Sequence, residues 1–569
     1  MDAKEALLAR IHSRESSSSE HDDDSLACEL DDLDEPTLLA PTPSTRHWRW
    51  SRHFFAPTPT HGRGGSGSSL RTRYTPRRRR SLLCRAVQVL ELIALAIPAL
   101  IIAFAIFFPS YSYPPQRYLE LRDRVQEQRL TANVNNEKVF IAASLLDKKG
   151  ELLSGPWARS VLQLVDILGK DNVFLSIYED DPTQEAQVAL DNFGKNVTCQ
   201  HQLFTEKLDK NKLPHVSTPD GDVRLKRIEF LATVRNRALR PLQDPTSPTF
   251  NTKFDKLLYL NDVMFDPIDA ANLLFSTNAD EETGRTQYRA ACAVDFINPV
   301  KFYDTFATRD LEGFSTGVPF YPWFAPSGAA ESRKDVLQQK DAVRVKSCWG
   351  GMVAFEAKWF QTHLERNAEA DSLPAEVSDQ GTESKFHTAM PRVPSPGHIT
   401  NNTSLRFRAE TDTYWDASEC CLIHADLTFM DPESLPINET GIYMNPYIRV
   451  SYDSWVLPWL SFTKRFERLY TPVQSIVSAI AGMPFHNERR TQQPGEEVVD
   501  KVWVWDAQTL TKLKAGTVKS PDDMNGHFHE IHRTAQPGGF CGLRKLLYIT
   551  ENPVEGERKW GTEKLPAFD

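Results

Sequence analysis

The feature that most limits what this chain can fold into is an apolar run at residues 86–108, AVQVLELIALAIPALIIAFAIFF. No polar side chain occurs between Leu92 and Phe108. As a helix the run reaches about 34 Å, enough to cross a hydrocarbon core of about 30 Å. Pro98 is tolerated in a membrane helix, and Glu91 falls near the headgroups. A buried core helix is the other reading, but the flanks favour a span. Residues 71–85 carry seven arginines, whereas 109–123 carry only Arg117 and Arg122. The positive-inside rule therefore puts the N-terminus in the cytosol and everything beyond the run on the other side. The run lies too deep in the chain for a cleaved signal peptide. The expectation is a single-pass type II anchor at 86–108.

Charge and cysteine distribution agree with two environments. The net charge of -10 excludes a generally basic nucleic-acid binder, so no nucleic-acid partner is expected. Residues 1–35 hold twelve acidic and three basic side chains, and 36–85 hold eleven basic and no acidic ones. With its Ser, Pro and Gly runs, the segment 1–85 reads as a disordered cytosolic tail. Residues 109–137 read as a stem. Six of the eight cysteines follow the span: Cys199, Cys292, Cys348, Cys420, Cys421 and Cys541. In an oxidising lumen they can pair, in a pattern the sequence does not resolve, or Cys292 can stay a buried thiol. Glycosylation sequons occur at Asn196, Asn401/Asn402 and Asn438.

From residue 138 the hydrophobic pattern changes. KVFIAASLL (138–146) and NVFLSIYEDD (172–181) read as buried strands, the second ending in acids. Trp157–Leu168, 183–193 and about 224–239 have helical periodicity, and FDKLLYLNDVMFDP reads as a further strand. This rhythm predicts an α/β fold with a Rossmann-like, mostly parallel sheet, in which ligands bind at the carboxyl ends of strands. Glu179, Asp180, Asn261 and Asp262 fall at that edge. A catalytic domain is expected at 138–455, with a loop-like stretch at 367–404 and a C-terminal extension of uncertain structure at 456–569.

No phosphate-binding P-loop, Gly-x-Ser-x-Gly elbow or His-Glu-x-x-His helix is present. The most informative segment is Lys256–Phe265, KLLYLNDVMF. A buried strand that ends in a carboxylate can hold a divalent metal against a diphosphate leaving group, although a strand-ending Asp also serves as a turn residue or helix cap.

The resemblance becomes specific across several stretches: Arg235-Asn236-Arg237-Ala-Leu, LLYLNDVMF, YRAACAVDF (288–296), FYDTFATRDLEG (302–313), CWGGMVAF (348–355), SECCLIHADL (418–427) and NPYIRVSYD (445–453). Over residues 138–455 the sequence resembles the fungal α-1,3-mannosyltransferases of the capsule-associated type, glycosyltransferase family 69. The resemblance implies a GT-A fold, a GDP-mannose donor, a glycan acceptor, α-retaining transfer and a Golgi membrane location with the catalytic domain lumenal. One departure from the broader GT-A pattern stands out. Leu260 precedes Asn261-Asp262, so the first acid of the usual Asp-x-Asp is missing.

On that resemblance Asp262, with Asn261, is the candidate ligand of Mn²⁺ or Mg²⁺. His424 is a candidate further ligand or, alternatively, a buried histidine bonded to backbone. Glu419 is a candidate catalytic carboxylate facing the anomeric carbon, or one half of a surface salt bridge. Asp180 is a candidate substrate-binding residue. Asp295, Arg309 and Asp310 can bond sugar hydroxyls, with Asp310 a second candidate catalytic carboxylate, or Arg309 and Asp310 can pair within a turn. Arg235 suits a diphosphate, and Arg227 either joins it or lies on a solvated face. Trp349 with Gly350 and Gly351 can form an acceptor platform, or Trp349 can be core. A second functional class remains: a non-catalytic Golgi membrane protein with a degenerate transferase fold, acting as scaffold or partner in glycan synthesis.

Overall fold

A computed structural model describes residues 82–569 except 218–222, 329, 363, 365–403, 413, 431–438, 486–488, 515–525, 551–558 and 565–569. Residues 1–81 of the expected tail, nearly all of 367–404, and the sequons at Asn401/Asn402 and Asn438 lie outside the described residues. The chain divides into two compact units, with a boundary between Phe104 and Ala105. Helix α1 (Leu82–Phe107) carries Pro98 in its interior, and its segment Val89–Phe107 is long and apolar enough to cross a membrane.

The unit that begins at Ala105 runs through α2 (Gln116–Gln126), β1 (Val139–Leu145), α3 (Pro156–Leu168), β2 (Val173–Asp180), α4 (Gln184–Asn196), β3 (Gln200–Glu206), β4 (His215–Ser217) and β5 (Val223–Lys226). It continues with α5 (Arg227–Ala238), β6 (Lys256–Leu260), α6 (Pro267–Phe275), β7 (Ala290–Phe296), α7 (Ala330–Leu337), β8 (Val343–Arg344) and β9 (Met352–Glu356). Then follow β10 (Asp416–Ala417), α8 (Glu419–Met430), β11 (Ile442–Ser451), α9 (Val456–Thr463) and α10 (Tyr470–Ile480). The last elements are β12 (Glu497–Trp505), α11 (Ala507–Lys514), β13 (Gly526–Thr534), β14 (Gly542–Leu543), β15 (Lys545–Ile549) and β16 (Trp560–Lys564).

The main sheet has the order β3-β2-β1-β6-β9-β7-β11-β8. β3, β2, β1 and β6 are mutually parallel, and β7 is parallel to β11. β9 runs antiparallel to both β6 and β7, and β8 runs antiparallel to β11. Six strands therefore point one way and two the other, a mixed and mostly parallel α/β sheet. The β1 and β6 strands are buried throughout and, apart from Ser144 and Lys256, carry apolar or aromatic side chains, because both faces are covered. On one face Ile141, Ala143, Leu258 and Leu260 join Trp157, Val161 and Leu164 of α3 in a continuous core. On the other, α5 packs on β1 and β2: Ser176 Oγ donates to the Ala238 carbonyl at 2.7 Å.

Three segments depart from the sequence reading. The helix expected over about 224–239 begins only at Arg227, because residues 223–225 pair with β4 on one side and Leu225 and Lys226 pair with Ile549 and Tyr548 of β15 on the other. A strand partner more than three hundred residues away overrides local periodicity. The segment read as a stem contains α2, which buries Tyr118 and Leu121, and Tyr118 Oη accepts from Asn445 Nδ2 at 2.7 Å. Beyond residue 456 the chain is built into the same unit. β15 and β16 complete a four-stranded sheet with β5 and β4, and β14 pairs with β10. Cys421–Cys541 and Cys292–Cys348 are disulfides, so Cys292 is not a free thiol, while Cys199 and Cys420 are buried thiols outside either disulfide.

Candidate functional site

The carboxyl end of β6 lies beside a turn that enters β9. Asn261 N donates to the Gly351 carbonyl at 2.8 Å, and the Asn261 carbonyl accepts from Trp157 Nε1 at 2.9 Å. The Asn261 side-chain oxygen accepts from Arg235 Nη1 at 2.9 Å and from Trp349 Nε1 at 3.3 Å. Arg235, two turns along α5, donates through Nε to Glu419 Oε1 at 2.8 Å. Its guanidinium lies over the ring of Trp349 at 4.7 Å, with Tyr259 and Phe407 at 5.5 and 5.7 Å. Asn236 fixes the last of these rings: its side chain donates to the Phe407 carbonyl at 2.8 Å and accepts from Phe407 N at 3.0 Å. Arg235, Asn261, Trp349 and Glu419, from four stretches far apart in the chain, thus meet in one buried polar cluster.

This placement changes several expected roles. Arg235 is buried and committed to Glu419 and Asn261, so it is not a free cation awaiting a diphosphate. Glu419 is no surface salt bridge, since it sits buried at the start of α8 against Arg235. Trp349 is core, only 4% exposed, and not an open stacking platform. Gly350 and Gly351 have φ of 57° and 65°. A Cβ on Gly350 would fall 2.1 Å from the Ala293 carbonyl oxygen, and one on Gly351 would fall 2.4 Å from Val263 Cγ1. Both glycines are therefore required for the turn to lie against β7 and the segment after β6. Arg227 is also buried, with its guanidinium over the Trp560 ring at 5.1 Å, which removes it from a solvated face.

A second acidic group backs this turn. Asp295, the penultimate residue of β7, is buried, accepting from Asp304 N at 3.1 Å and from Tyr452 Oη at 3.0 Å. Asp304 accepts from Gly350 N at 3.3 Å, Thr308 Oγ1 at 3.1 Å and Ala307 N at 2.9 Å. Burial first, and the neighbouring Asp304 second, raise the Asp295 carboxyl far above the ordinary range. Burial raises Asp304 as well. Asp304 escaped the sequence reading although it lies in the quoted stretch FYDTFATRDLEG; its only sequence signal was an acid among aromatics. Asp295 is engaged by protein groups and is not presented as a sugar ligand.

Arg309 and Asp310 also have structural partners. Arg309 donates to the carbonyls of Thr305, Thr308, Phe540 and Cys541, and burial lowers its pKa to about 10. Asp310 accepts from the backbone N of Glu312 and Phe314 at 3.0 and 2.8 Å, closing a turn. The first residue anchors the C-terminal segment and the second caps a loop, which leaves the catalytic reading of Asp310 without support from geometry.

At the carboxyl edge of β2, Asp180 accepts from Leu208 N at 2.9 Å. Glu179 accepts from Asp147 N at 3.0 Å, while its other oxygen is buried without a hydrogen-bond partner. Desolvation raises its pKa to about 7, against the lowering effect of the Asp147 hydrogen bond.

Of the three expected metal ligands, one retains a suitable position. Asn261 Oδ1 is saturated by two N–H donors, one of them a cation. His424 is fully buried, with Nδ1 2.8 Å from the Cys420 carbonyl and its ring stacked on Phe355. Burial lowers its pKa to about 4. Its Nε2 faces Cys292 Sγ at 3.9 Å, and although the ligand atoms of Cys292, Cys348 and His424 lie within 4.8 Å of one another, the disulfide consumes both thiols. Phe355 is level with Leu257 on β6, four positions before Asn261, which is about 13 Å along a strand. His424 is therefore corrected to a buried backbone-bonded histidine. Asp262, half-buried directly after Asn261, remains the carboxylate at the strand end. One carboxylate fits a hard cation that keeps its waters and binds substrate phosphates; the expected three-residue set does not.

A mixed α/β sheet with its polar cluster at the carboxyl ends of parallel strands defines a protein of the kind that binds ligands at that edge. Residues 138–426, half of the chain, match the family described as Cryptococcal mannosyltransferase 1, and the chain belongs to that family of mannosyltransferases. No curated protein matches it. Solved structures that match include the mannosyltransferase PcManGT from Pyrobaculum calidifontis in complex with GDP-Man and Mn²⁺, at 12% identity, with 69% of this chain and 85% of that chain covered and a TM-score of 0.28.

Proposed function

We propose that this chain transfers mannose from GDP-mannose to a glycan acceptor in α-1,3 linkage with retention, in the Golgi lumen, from a GT-A-type domain on a type II span at 86–108. Family membership supports mannosyl transfer. The observation that carries the site is the Arg235–Asn261–Glu419 cluster, which fixes the end of β6 and so the position of Asp262. In the transfer the bond from the mannose anomeric carbon to the diphosphate breaks, its electron pair leaving with GDP. The acceptor oxygen bonds that carbon on the face the diphosphate leaves, as retention requires, and its proton passes to the departing diphosphate oxygen. Asp262 would hold a divalent cation, Mn²⁺ or Mg²⁺, which when bound neutralises charge on the leaving diphosphate. Arg235 and Glu419 act as positioning residues: each neutralises the other, and together they hold Asn261.

The test is GDP release and mannose transfer by the detergent-purified full chain, across sugar nucleotides and metals. Asp262→Ala is expected to abolish transfer with folding retained. Wild-type turnover in that variant sinks the role of Asp262. The second reading, a non-catalytic scaffold, is favoured by the single carboxylate at the strand end. Absence of GDP-mannose turnover with either metal, together with co-purification of a separate transferase, would establish it instead.

A further inference from the structure

Helix α10 is turned inside out relative to an ordinary surface helix, which buries its apolar stripe, whereas α9 buries Val456 and Leu460 yet still shows apolar side chains outside. α10 buries Gln474 and Ser478, and Gln474 Nε2 bonds the carbonyls of Trp323 and Phe324 at 3.4 and 3.2 Å. Arg333 reaches Gln474 Oε1 at 2.6 Å and Ser475 Oγ at 2.8 Å. The opposite side presents Val473, Ile476 and Ile480, at helical spacing. α9 and the residue before it present Trp455, Trp459 and Phe462. These six side chains are 53% to 82% exposed, and Arg465 beside them is also exposed. Exposed apolar surface of this kind marks an interaction site.

The position of this face identifies what it meets. The apolar helix ends at Phe107, and the chain is already inside the folded unit at Ser110 and Tyr111, both buried. The residues between reach about 10 Å when extended, so the domain has no long tether. Tyr111 stacks on Trp323 at 6.5 Å between centroids, and the Trp323 carbonyl is bonded by Gln474 of α10. The apolar face is thus the outer side of the helix whose inner side reaches, through Trp323, the residues that directly follow the apolar run.

We propose that the exposed face of α9 and α10 lies in the headgroup–acyl boundary of the same membrane leaflet and docks the domain on the lipid surface. Trp and Phe beside a cation, on a helix lying flat, are the chemistry of an interfacial segment. Arg465 meets lipid phosphate. This proposal rests on the reading of residues 86–108 as a membrane span.

The test uses the full chain in phosphatidylcholine–phosphatidylserine nanodiscs carrying a carbene photolabel on the acyl chain, with labelled peptides mapped by mass spectrometry. Label is expected in 89–107 and also in 455–480. In the triple variant Val473→Glu, Ile476→Glu, Ile480→Glu, label in 470–480 is expected to fall to background while label in 89–107 persists. Label in 89–107 but none in 455–480 overturns the docking face alone, whereas no label in 89–107 overturns the span itself. Cross-links between two copies through α10, in place of lipid label there, also overturn the proposal and make the face a dimer contact.

Discussion

Arg235 Nε lies 2.8 Å from Glu419 Oε1, and the two side chains are 6% and 3% exposed. The pair joins residues 184 positions apart. Its low exposure makes it a strong constraint, because a lone charge left at this depth has no water to solvate it. Arg235→Met and Glu419→Leu are each expected to destabilise the protein by about 3–5 kcal/mol. The double variant should lose clearly less than the sum of the two. Thermal unfolding of the three proteins checks this; additive losses would show that the charges do not act as a pair.

Gly350 and Gly284 offer a controlled comparison of backbone strain with packing. Both have positive φ, but a Cβ at Gly284 meets nothing within 4 Å, whereas one at Gly350 falls against the Ala293 carbonyl oxygen. Gly284→Ala is expected to cost about 1–2 kcal/mol from the left-handed backbone alone. Gly350→Ala should cost clearly more and should also reduce transfer, since Trp349 and Asn261 are fixed by the same turn. Equal losses of stability in the two variants would remove the packing argument.

Asp295 sets a pH dependence with a definite sign. Its folded-state pKa is pushed from 3.8 to about 8, first by burial and then by Asp304. Between those values the folded protein retains a proton that the unfolded chain has lost, so stability declines as pH rises through this window. In Asp295→Asn that decline should flatten, and the variant should gain on the wild type between about pH 5 and pH 8. Thermal transitions at a series of pH values measure it. Parallel curves would mean that Asp295 is ionised in the fold.

The Cys421–Cys541 bridge closes 120 residues of chain and ties α8 to the segment whose carbonyls receive Arg309. Cys541→Ser is expected to lower stability by about 2–5 kcal/mol. Because α8 begins with Glu419, transfer should also become more sensitive to temperature than in the wild type. An unchanged melting temperature would show that the C-terminal segment is held without the bridge.

Much of the frame was legible along the chain. The apolar helix, the β1, β2 and β6 strands and the α3 helix each follow from patterns a few residues long, because the burial of both sheet faces forces continuous apolar runs. Asn261, Asp262, Glu419, Arg235 and the Trp349 turn were also singled out, and the fold brings four of these five together through direct bonds. What each does was less legible. A sequence shows that Arg235 carries charge, but not that Glu419 has already neutralised it. It shows a histidine in SECCLIHADL, but not that α8 turns the ring toward Phe355 and a disulfide. The strand at 223–226 was missed in part for the same reason, since one of its two partners lies in the last thirty residues.

The sequence by itself determined the apolar segment, the alternation of strands and helices, and the set of residue types available at the carboxyl edge. Those are local properties, settled by periodicity and by transfer of apolar groups from water. Tertiary structure alone decided which acids and cations cancel one another, which cysteines pair, and that α10 buries its polar side while exposing its apolar one. Such outcomes depend on desolvation and on contacts between segments hundreds of residues apart, and neither has a signature in local order.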